Sequence, residues 1–303
     1  MADLPLSDVK VLDLTRLLPG GFCSLLLADL GAEVLKVEDT GMGDYIRWAP
    51  PYYGSDKQQA LGTRSSLYLS LNRGKRSVRL DLKSEGGREA LLRLVADHDV
   101  VLDGFRPGVL DKLGVGYERL RAANPRVVYC AITGYGQDGP YAQRAGHDMN
   151  YLGLVGLLGL TGAKDGPPVQ SAGQIADLGG GALMAAFGVM AALHERERSG
   201  EGQMVDISMA DGALSWLAMV AGRYFCDEEV PRRGEQQLAG GLVCYLPYEA
   251  ADGWVTCGAL EPKFWAAFCN GVGRPELIEK QFEAPGSEAW AAVPPATQRL
   301  PTT

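Results

Sequence analysis

The first 135 residues alternate between two hydrophobic periods, and no other feature constrains the fold as strongly. Residues 9–14 (VKVLDL), 33–38 (EVLKVE), 77–82 (SVRLDL), 99–103 (DVVLD) and 126–133 (RVVYCAIT) are runs of strand length. Residues 22–30 (FCSLLLADL) and 84–98 have helical spacing, the latter with Leu91, Leu92, Leu94 and Val95 on one side. Strands that alternate with helices form parallel βαβ units, so an α/β fold is expected. Pro19-Gly20-Gly21 reads as a break before the first helix, and Gly31 as its end.

Further on the pattern changes. Residues 40–76 are long and mixed, as lids and ligand loops often are. Residues 152–161 are apolar and glycine-rich, and their state stays open. Residues 177–193 predict a helix with Asp177 as its N-cap. Residues 204–208 (MVDIS) predict a strand and 210–225 a helix. The charged stretch DEEVPRRGEQQ reads as a linker, and residues 242–260 as a hairpin turning at Asp252-Gly253. The expected organisation is a large domain over residues 1–215, a helical and charged linker over 216–238, a small domain over 239–284 and an irregular tail over 285–303. His98 and His194, beside charged helix ends, read as solvated.

Composition narrows the function classes. The net charge of -8 argues against non-specific nucleic-acid binding, which needs a basic face. The longest apolar candidate, residues 181–193, falls short of the roughly 18–20 residues of a membrane span, and the N-terminus lacks a secretory pattern. Six cysteines without a C-x-x-C pair point to reduced thiols rather than a zinc site or disulfide framework. The expectation is a cytoplasmic protein with no membrane partner, no metal and no bound cofactor.

Three residues could carry proton chemistry. His147 stands in AGHDMNY, and histidine is the natural general base near neutral pH; the plain alternative is a packed histidine at a loop–helix junction. Asp177 stands in IADLGGG, where an N-cap would explain it without catalysis. The three glycines that follow cost a helix about 1 kcal/mol each, so something is expected to approach that backbone closely. Free N–H groups at that helix start could hold a developing oxyanion. Glu261 in GALEPKFW could orient a histidine, or simply start a surface helix ahead of Pro262.

Arg73, Lys75, Arg76, Arg79 and Lys83 cluster around the third strand, and Arg106 and Lys112 follow the fourth. Strand ends are where α/β folds place ligands, so a polyphosphate ligand is plausible. Neither G-x-x-x-x-G-K-[ST] nor a G-x-G-x-x-G after the first strand is present, and no G-x-S-x-G elbow supports a hydrolase triad.

In order along residues 7–270, the segments VKVLDLTRLLPGGFCSLLLADLGAEVLKVE, NRGKRSVRLDLK, FRPGVLDKLG, NPRVVYCAITGYGQDGP, AGHDMNY, ADLGGGALMAAFGVMAAL, SGEGQMVDISMADG and GALEPKFW resemble the class III CoA-transferase superfamily. Within it the chain resembles the α-methylacyl-CoA racemases, through GHDMNY, ADLGGG and GALEP. The resemblance implies a Rossmann-like parallel sheet in the large domain, a smaller α+β domain, and an interlocked homodimer. It implies His147 and Asp177 as the acid/base pair, with Glu261 supporting the histidine. It implies contacts to an acyl-CoA substrate at Leu80, Asp81, Leu82 and Lys83, at Arg106 and Lys112, and at Gly146, Asp148, Met149, Asn150 and Tyr151. Relatives often carry arginine where Asp39 stands, which removes one expected nucleotide contact. They also run longer, which implies a shortened or frame-shifted form here. The transferase branch keeps the aspartate as an acyl-accepting nucleophile and generally lacks this histidine; its glycine-rich loop is poorly matched by Gly240-Gly241. The expected activity is therefore racemisation of 2-methylacyl-CoA thioesters, within fatty acid metabolism. CoA transfer is the alternative, and a non-catalytic CoA-binding or dimer-partner protein a third.

Overall fold

The computed structural model describes residues 4–54, 65–250, 252–284 and 287. Six strands, Lys10–Asp13 (β1), Glu33–Glu38 (β2), Arg76–Arg79 (β3), Val100–Asp103 (β4), Val128–Thr133 (β5) and Met204–Ser208 (β6), form one parallel sheet in the order β3-β2-β1-β4-β5-β6. All residues of β4 and β5 are buried, as expected for strands covered on both faces. The order reverses between β1 and β4, which makes this the doubly wound arrangement with its crevice at the carboxyl ends of those strands. The expected α/β, Rossmann-like fold is what the chain adopts.

Eleven α-helices are described: Leu17–Asp29 (α1), Ser66–Asn72 (α2), Glu85–Val95 (α3), Val109–Lys112 (α4), Tyr117–Ala123 (α5), Asp148–Leu154 (α6), Leu157–Leu160 (α7), Met184–Ser199 (α8), Met209–Ser215 (α9), Ala218–Asp227 (α10) and Pro262–Gly271 (α11). A π-helix, Ile175–Leu183, runs directly into α8. Two further strands, Tyr245–Ala250 (β7) and Gly253–Gly258 (β8), pair antiparallel.

The chain divides into two compact units, one of Met1–Val155 with Ala172–Trp216, the other of Gly156–Ser171 with Leu217–Thr303. The first is built on the parallel sheet. Leu12, Val101, Ala131 and Leu91 lie at the heart of one of its core clusters, all fully buried. The second has its own core around Val243, Cys244, Cys257, Trp265 and Cys269. There the Trp265 ring stacks on Phe268 at 5.5 Å, and its Nε1 donates to the Leu277 carbonyl at 2.9 Å. The tail assigned to residues 285–303 lies outside the described residues except at 287.

Several local expectations need correction. α1 starts at Leu17 and runs through Pro19-Gly20-Gly21, which does not break it. Pro19 sits in the first turn, where no helical hydrogen bond is lost. Gly20 is required for space, because a Cβ there would stand 2.1 Å from Thr15 Cβ. Asp177 is inside the first turn of the π-helix, and Gln174 is the N-cap. The helix expected over 210–225 is two helices, α9 and α10. His98 is buried, with Nδ1 2.6 Å from the Leu94 carbonyl oxygen, rather than solvated. His194 is exposed. All six cysteines are free and five are buried.

The apolar helix is also longer than residues 181–193. The continuous helix Ile175–Ser199 has 25 residues and contains an 18-residue window of mean hydropathy 1.6, enough by length and composition to cross a membrane. It packs against β5, β6, α1 and α9, as a core helix of this unit does.

Beneath the carboxyl ends of β1 and β2 lies a buried ionic network. Lys36 Nζ stands 3.1 Å from Asp44 and 3.6 Å from Asp13, and donates to the Thr15 carbonyl at 2.9 Å. Lys75 donates to the Gly21 carbonyl, to Ser24 Oγ and to Asn72 Oδ1. Glu38 accepts from Arg47, Ser77 and the Asp44 N–H. Those hydrogen bonds outweigh its burial and hold its carboxyl at about 2. This network ties the β1–α1 turn to the segment after β2.

Candidate active site

The candidate residues of the first unit gather at the carboxyl edge of the sheet. Leu80, Asp81, Leu82 and Lys83 follow β3, Arg106 and Lys112 follow β4, and the segment from Gly146 to Tyr151 follows β5. β3 and β4 are three strand spacings apart, or roughly 14 Å. An elongated ligand would be needed to touch both.

The basic cluster divides into two groups. Lys75 is occupied inside the protein, and burial lowers it to about 8 against the attraction of Asp13. Arg73 pairs with Asp29, and Arg76 with Glu33. Lys83, Arg106 and Lys112 are exposed and form no ion pair among the described residues. Those three remain available to an anionic ligand. Asp81 Oδ1 accepts the Lys83 N–H at 3.0 Å, which shapes the turn after β3. Asp39 accepts from Arg16 at 2.8 Å, and the Arg16 guanidinium lies 5.5 Å from the Phe105 ring centroid. An acid thus stands directly after β2, where the resemblance expected a base.

Asp103, at the end of β4, supports the Arg106 loop from below. Its carboxylate accepts the Phe105 N–H at 2.7 Å and the Tyr129 hydroxyl. Burial pushes its carboxyl up to about 6 despite those bonds. The sequence reading missed this aspartate; its one signal was an acid closing an otherwise apolar strand.

Asp148, the residue after His147, binds the main chain at Asp177. His147 is the N-cap of α6, and Asn150 Oδ1 accepts its N–H at 3.0 Å. Asp148 is buried, and its Oδ1 accepts the N–H of Ala176 at 2.7 Å and of Asp177 at 3.0 Å. One carboxylate therefore clasps the start of the π-helix onto the start of α6. The Asp177 carboxyl is raised to about 6, first by burial and then by the negative charge of Asp148, with His147 acting in the opposite direction.

Two expectations change here. The N–H groups of Ala176 and Asp177 are occupied by Asp148, so they are not free to hold an oxyanion. The glycine run also faces protein rather than ligand. A Cβ on Gly180 would meet the Met209 carbonyl oxygen at 2.6 Å and the Ala213 nitrogen at 2.7 Å, and one on Gly179 would meet the Trp216 ring at 2.7 Å. The close approach is that of α9.

Gly146 makes room for Tyr151, whose Cε1 would lie 2.6 Å from an added Cβ. The Tyr151 hydroxyl donates back to the Gly146 carbonyl at 2.7 Å. Its ring meets Tyr135 edge-on at 5.1 Å. Burial, then Asp177, raise the Tyr151 phenol to about 12, and Arg106 opposes them, so the arginine's charge reaches this segment. Met149 is exposed. Glu261 belongs to the second unit, where it is the exposed N-cap of α11, with Pro262 at the first helical position and no capping bond from its side chain. Among the described residues no group of three or more His, Cys, Asp or Glu side chains could hold a metal.

The doubly wound parallel sheet defines an α/β class of fold that takes ligands at its carboxyl edge. Comparison with known proteins makes the class specific. The model of CoA-transferase family III matches residues 6–298, and the chain belongs to that family. It is 41% identical over 284 residues to the succinyl-CoA:mesaconate CoA-transferase of Haloarcula marismortui, covering 92% of this chain and 70% of that protein. It is 39% identical over 274 residues to the alpha-methylacyl-CoA racemase of Mus musculus, covering 88% of this chain and 65% of that one. The crystal structure of a CaiB/BaiF family protein from Brucella suis superposes with a TM-score of 0.79 at 37% identity, covering 92% of this chain and 72% of that one. The chain thus spans about two thirds of the length of these relatives.

Proposed function

We propose that the chain is an acyl-CoA racemase, an isomerase that interconverts (R)- and (S)-2-methylacyl-CoA thioesters. The observation that supports this reading is the clasp through Asp148, which binds the main chain at Asp177 from the position next to His147, with Asp177 poised near pH 6. A thioester acidifies its α-carbon because the carbanion delocalises onto the carbonyl oxygen. One of the two residues removes the α-proton, and the other returns a proton to the opposite face of the planar enolate. A carboxyl group titrating near 6 can do both within the physiological range. Lys83, Arg106 and Lys112 would bind the phosphates of the CoA moiety. The role of Glu261 in supporting the histidine belongs to the same proposal. The chemistry asks for no cofactor beyond the CoA of the substrate.

We take the active form to be a cytoplasmic homodimer without nucleic-acid or membrane partners. The exposed Leu183, Phe187, Met190, Leu214 and Trp216 of the first unit support a protein partner.

A second reading, CoA transfer between carboxylic acids, is favoured by the 41% identity to a transferase. There the Asp177 carboxylate would attack the thioester carbonyl, expel CoA thiolate and form a mixed anhydride. The deciding experiment incubates a single-enantiomer 2-methylacyl-CoA with the protein in D2O, with no acceptor acid present. Racemisation gives α-deuteration with loss of optical purity, and His147→Ala lowers it by about 10²-fold or more. Absence of exchange in the parent protein, with CoA transfer on adding an acceptor acid, would replace the racemase reading by the transferase one.

A further inference from the structure

We infer that Asp148 is a positioning residue for Asp177: its carboxylate fixes where Asp177 stands and supplies the negative charge beside it. This rests on the proposed role of Asp177 as a proton carrier and adds to it. Although Asp148 falls within the segment expected to touch CoA, its side chain is buried and turned into the protein. Oδ1 accepts from two main-chain N–H groups of the π-helix, one of them that of Asp177 itself. Two N–H donors at a helix start would otherwise need water or another acceptor. Here a charged acceptor meets both, in charge-assisted bonds stronger than neutral ones. The same carboxylate begins α6, directly after His147. Moving Asp148 therefore moves both proposed acid/base groups at once.

The charge has a separate effect. α6 brings His147, Asp148 and Tyr151 to the π-helix. α9 carries Asp211, α1 carries Cys23 and Asp29, β5 carries Tyr129 and Cys130, β6 carries Asp206, and α8 carries His194, Glu195, Arg196, Glu197 and Arg198 in its distal half. Of all these, Asp148 and His147 are the two whose charges act on the Asp177 carboxyl, in opposite directions. A fixed like charge stabilises the protonated form of its neighbour, so Asp148 helps Asp177 to hold a proton that it must later give up.

Two variants of the full chain separate geometry from charge. Asp148→Asn keeps an oxygen for both N–H groups and removes the charge. Asp148→Ala removes both. The titration of Asp177 is followed by 13C NMR of aspartate-labelled protein, its signal identified by its loss in Asp177→Asn. The α-proton exchange of the 2-methylacyl-CoA is followed across pH on the same samples. For Asp148→Asn the Asp177 midpoint should fall by about half a unit or more, and the acid limb of the exchange profile should move with it. For Asp148→Ala exchange should fall by about 10²-fold, as a misplaced catalytic group requires. An unchanged Asp177 midpoint in Asp148→Asn overturns the charge effect. Parent-like exchange in Asp148→Ala overturns the positioning. If the midpoint moves as expected while even the parent protein exchanges nothing, the charge effect of Asp148 on Asp177 is upheld and the racemase reading is the part that fails.

Discussion

Replacing Gly180 by alanine would drive a methyl group into the backbone of α9. The added Cβ would stand 2.6 Å from the Met209 carbonyl oxygen and 2.7 Å from the Ala213 nitrogen. The obstruction is mutual, since a Cβ on Gly212 would stand 2.0 Å from the Gly180 carbonyl oxygen. Neither partner is a flexible side-chain end that could swing away. Ordinary contact begins near 3.4 Å, so the π-helix and α9 must separate by about 0.8 Å. Overpacking of this kind destabilises by about 1–3 kcal/mol, more than alanine's helix preference of about 1 kcal/mol can offset. Asp177 lies three residues earlier on the same helix, and a displacement near 1 Å can cost a catalytic group about 10²-fold. The expected result is a lower melting midpoint together with a roughly 10- to 100-fold slower α-proton exchange. The control is Gly86→Ala in α3, where an added Cβ meets nothing within 4 Å and stability should hold or rise. If Gly180→Ala melted and exchanged like the parent protein, the contact with α9 would not be what seats Asp177.

Two further outcomes follow from the charges. Lys36 is fully buried between Asp13 and Asp44, so Lys36→Met should lower the denaturant-measured stability by about 3–5 kcal/mol, whereas Arg73→Ala, which breaks an exposed pair, should change it by about 1 kcal/mol or less; equal losses would refute the ranking. With Asp177 titrating near 6, about nine-tenths of it is ionised at pH 7 and about one-tenth at pH 5, so the exchange step that uses it as base should slow about tenfold between those values. An ordinary carboxyl near 3.9 would leave that rate almost unchanged over the same range.

β4 and β5 were legible because burial on both sheet faces leaves a strong signal in sequence, whereas the mostly exposed β3 ends at Arg79, short of the expected 77–82. β2 and β6 fall at the expected residues, and β4 and β5 within one or two of them. The proline and glycines of α1 and the glycines at 179–181 were misread for one shared reason. A glycine marks both a broken chain and a close approach, and sequence alone does not say what approaches. Thr15 answers for Gly20 and α9 for Gly180. The basic cluster failed differently. Lys75 and Lys83 look alike in NRGKRSVRLDLK, yet the first is claimed by Ser24 and the Gly21 carbonyl while the second faces solvent. His147 and Asp177 stood out from the start, but a sequence separation of 28 hides the bond between Asp148 and Ala176.

The ionisation of Asp177 sets function against stability. A carboxyl raised in the folded state contributes stability below its unfolded pKa, and that contribution is lost as pH rises through about 6. The base form that proton abstraction needs is therefore the form the fold favours least. The buried carboxylates beneath the sheet edge behave oppositely. Asp13 is held below its ordinary value by Lys36, Lys75, Ser24 and Thr15 acting against its burial, and Glu38 sits at about 2. Their contributions are complete above the ordinary carboxylate range and are lost only as pH falls through those lowered values. Above pH 6 those two carboxylates contribute in full while Asp177 is ionised against its burial. Asp177, like Asp103 at the end of β4, carries its charge against its burial, and the two N–H bonds to Asp148 hold the start of the π-helix in place.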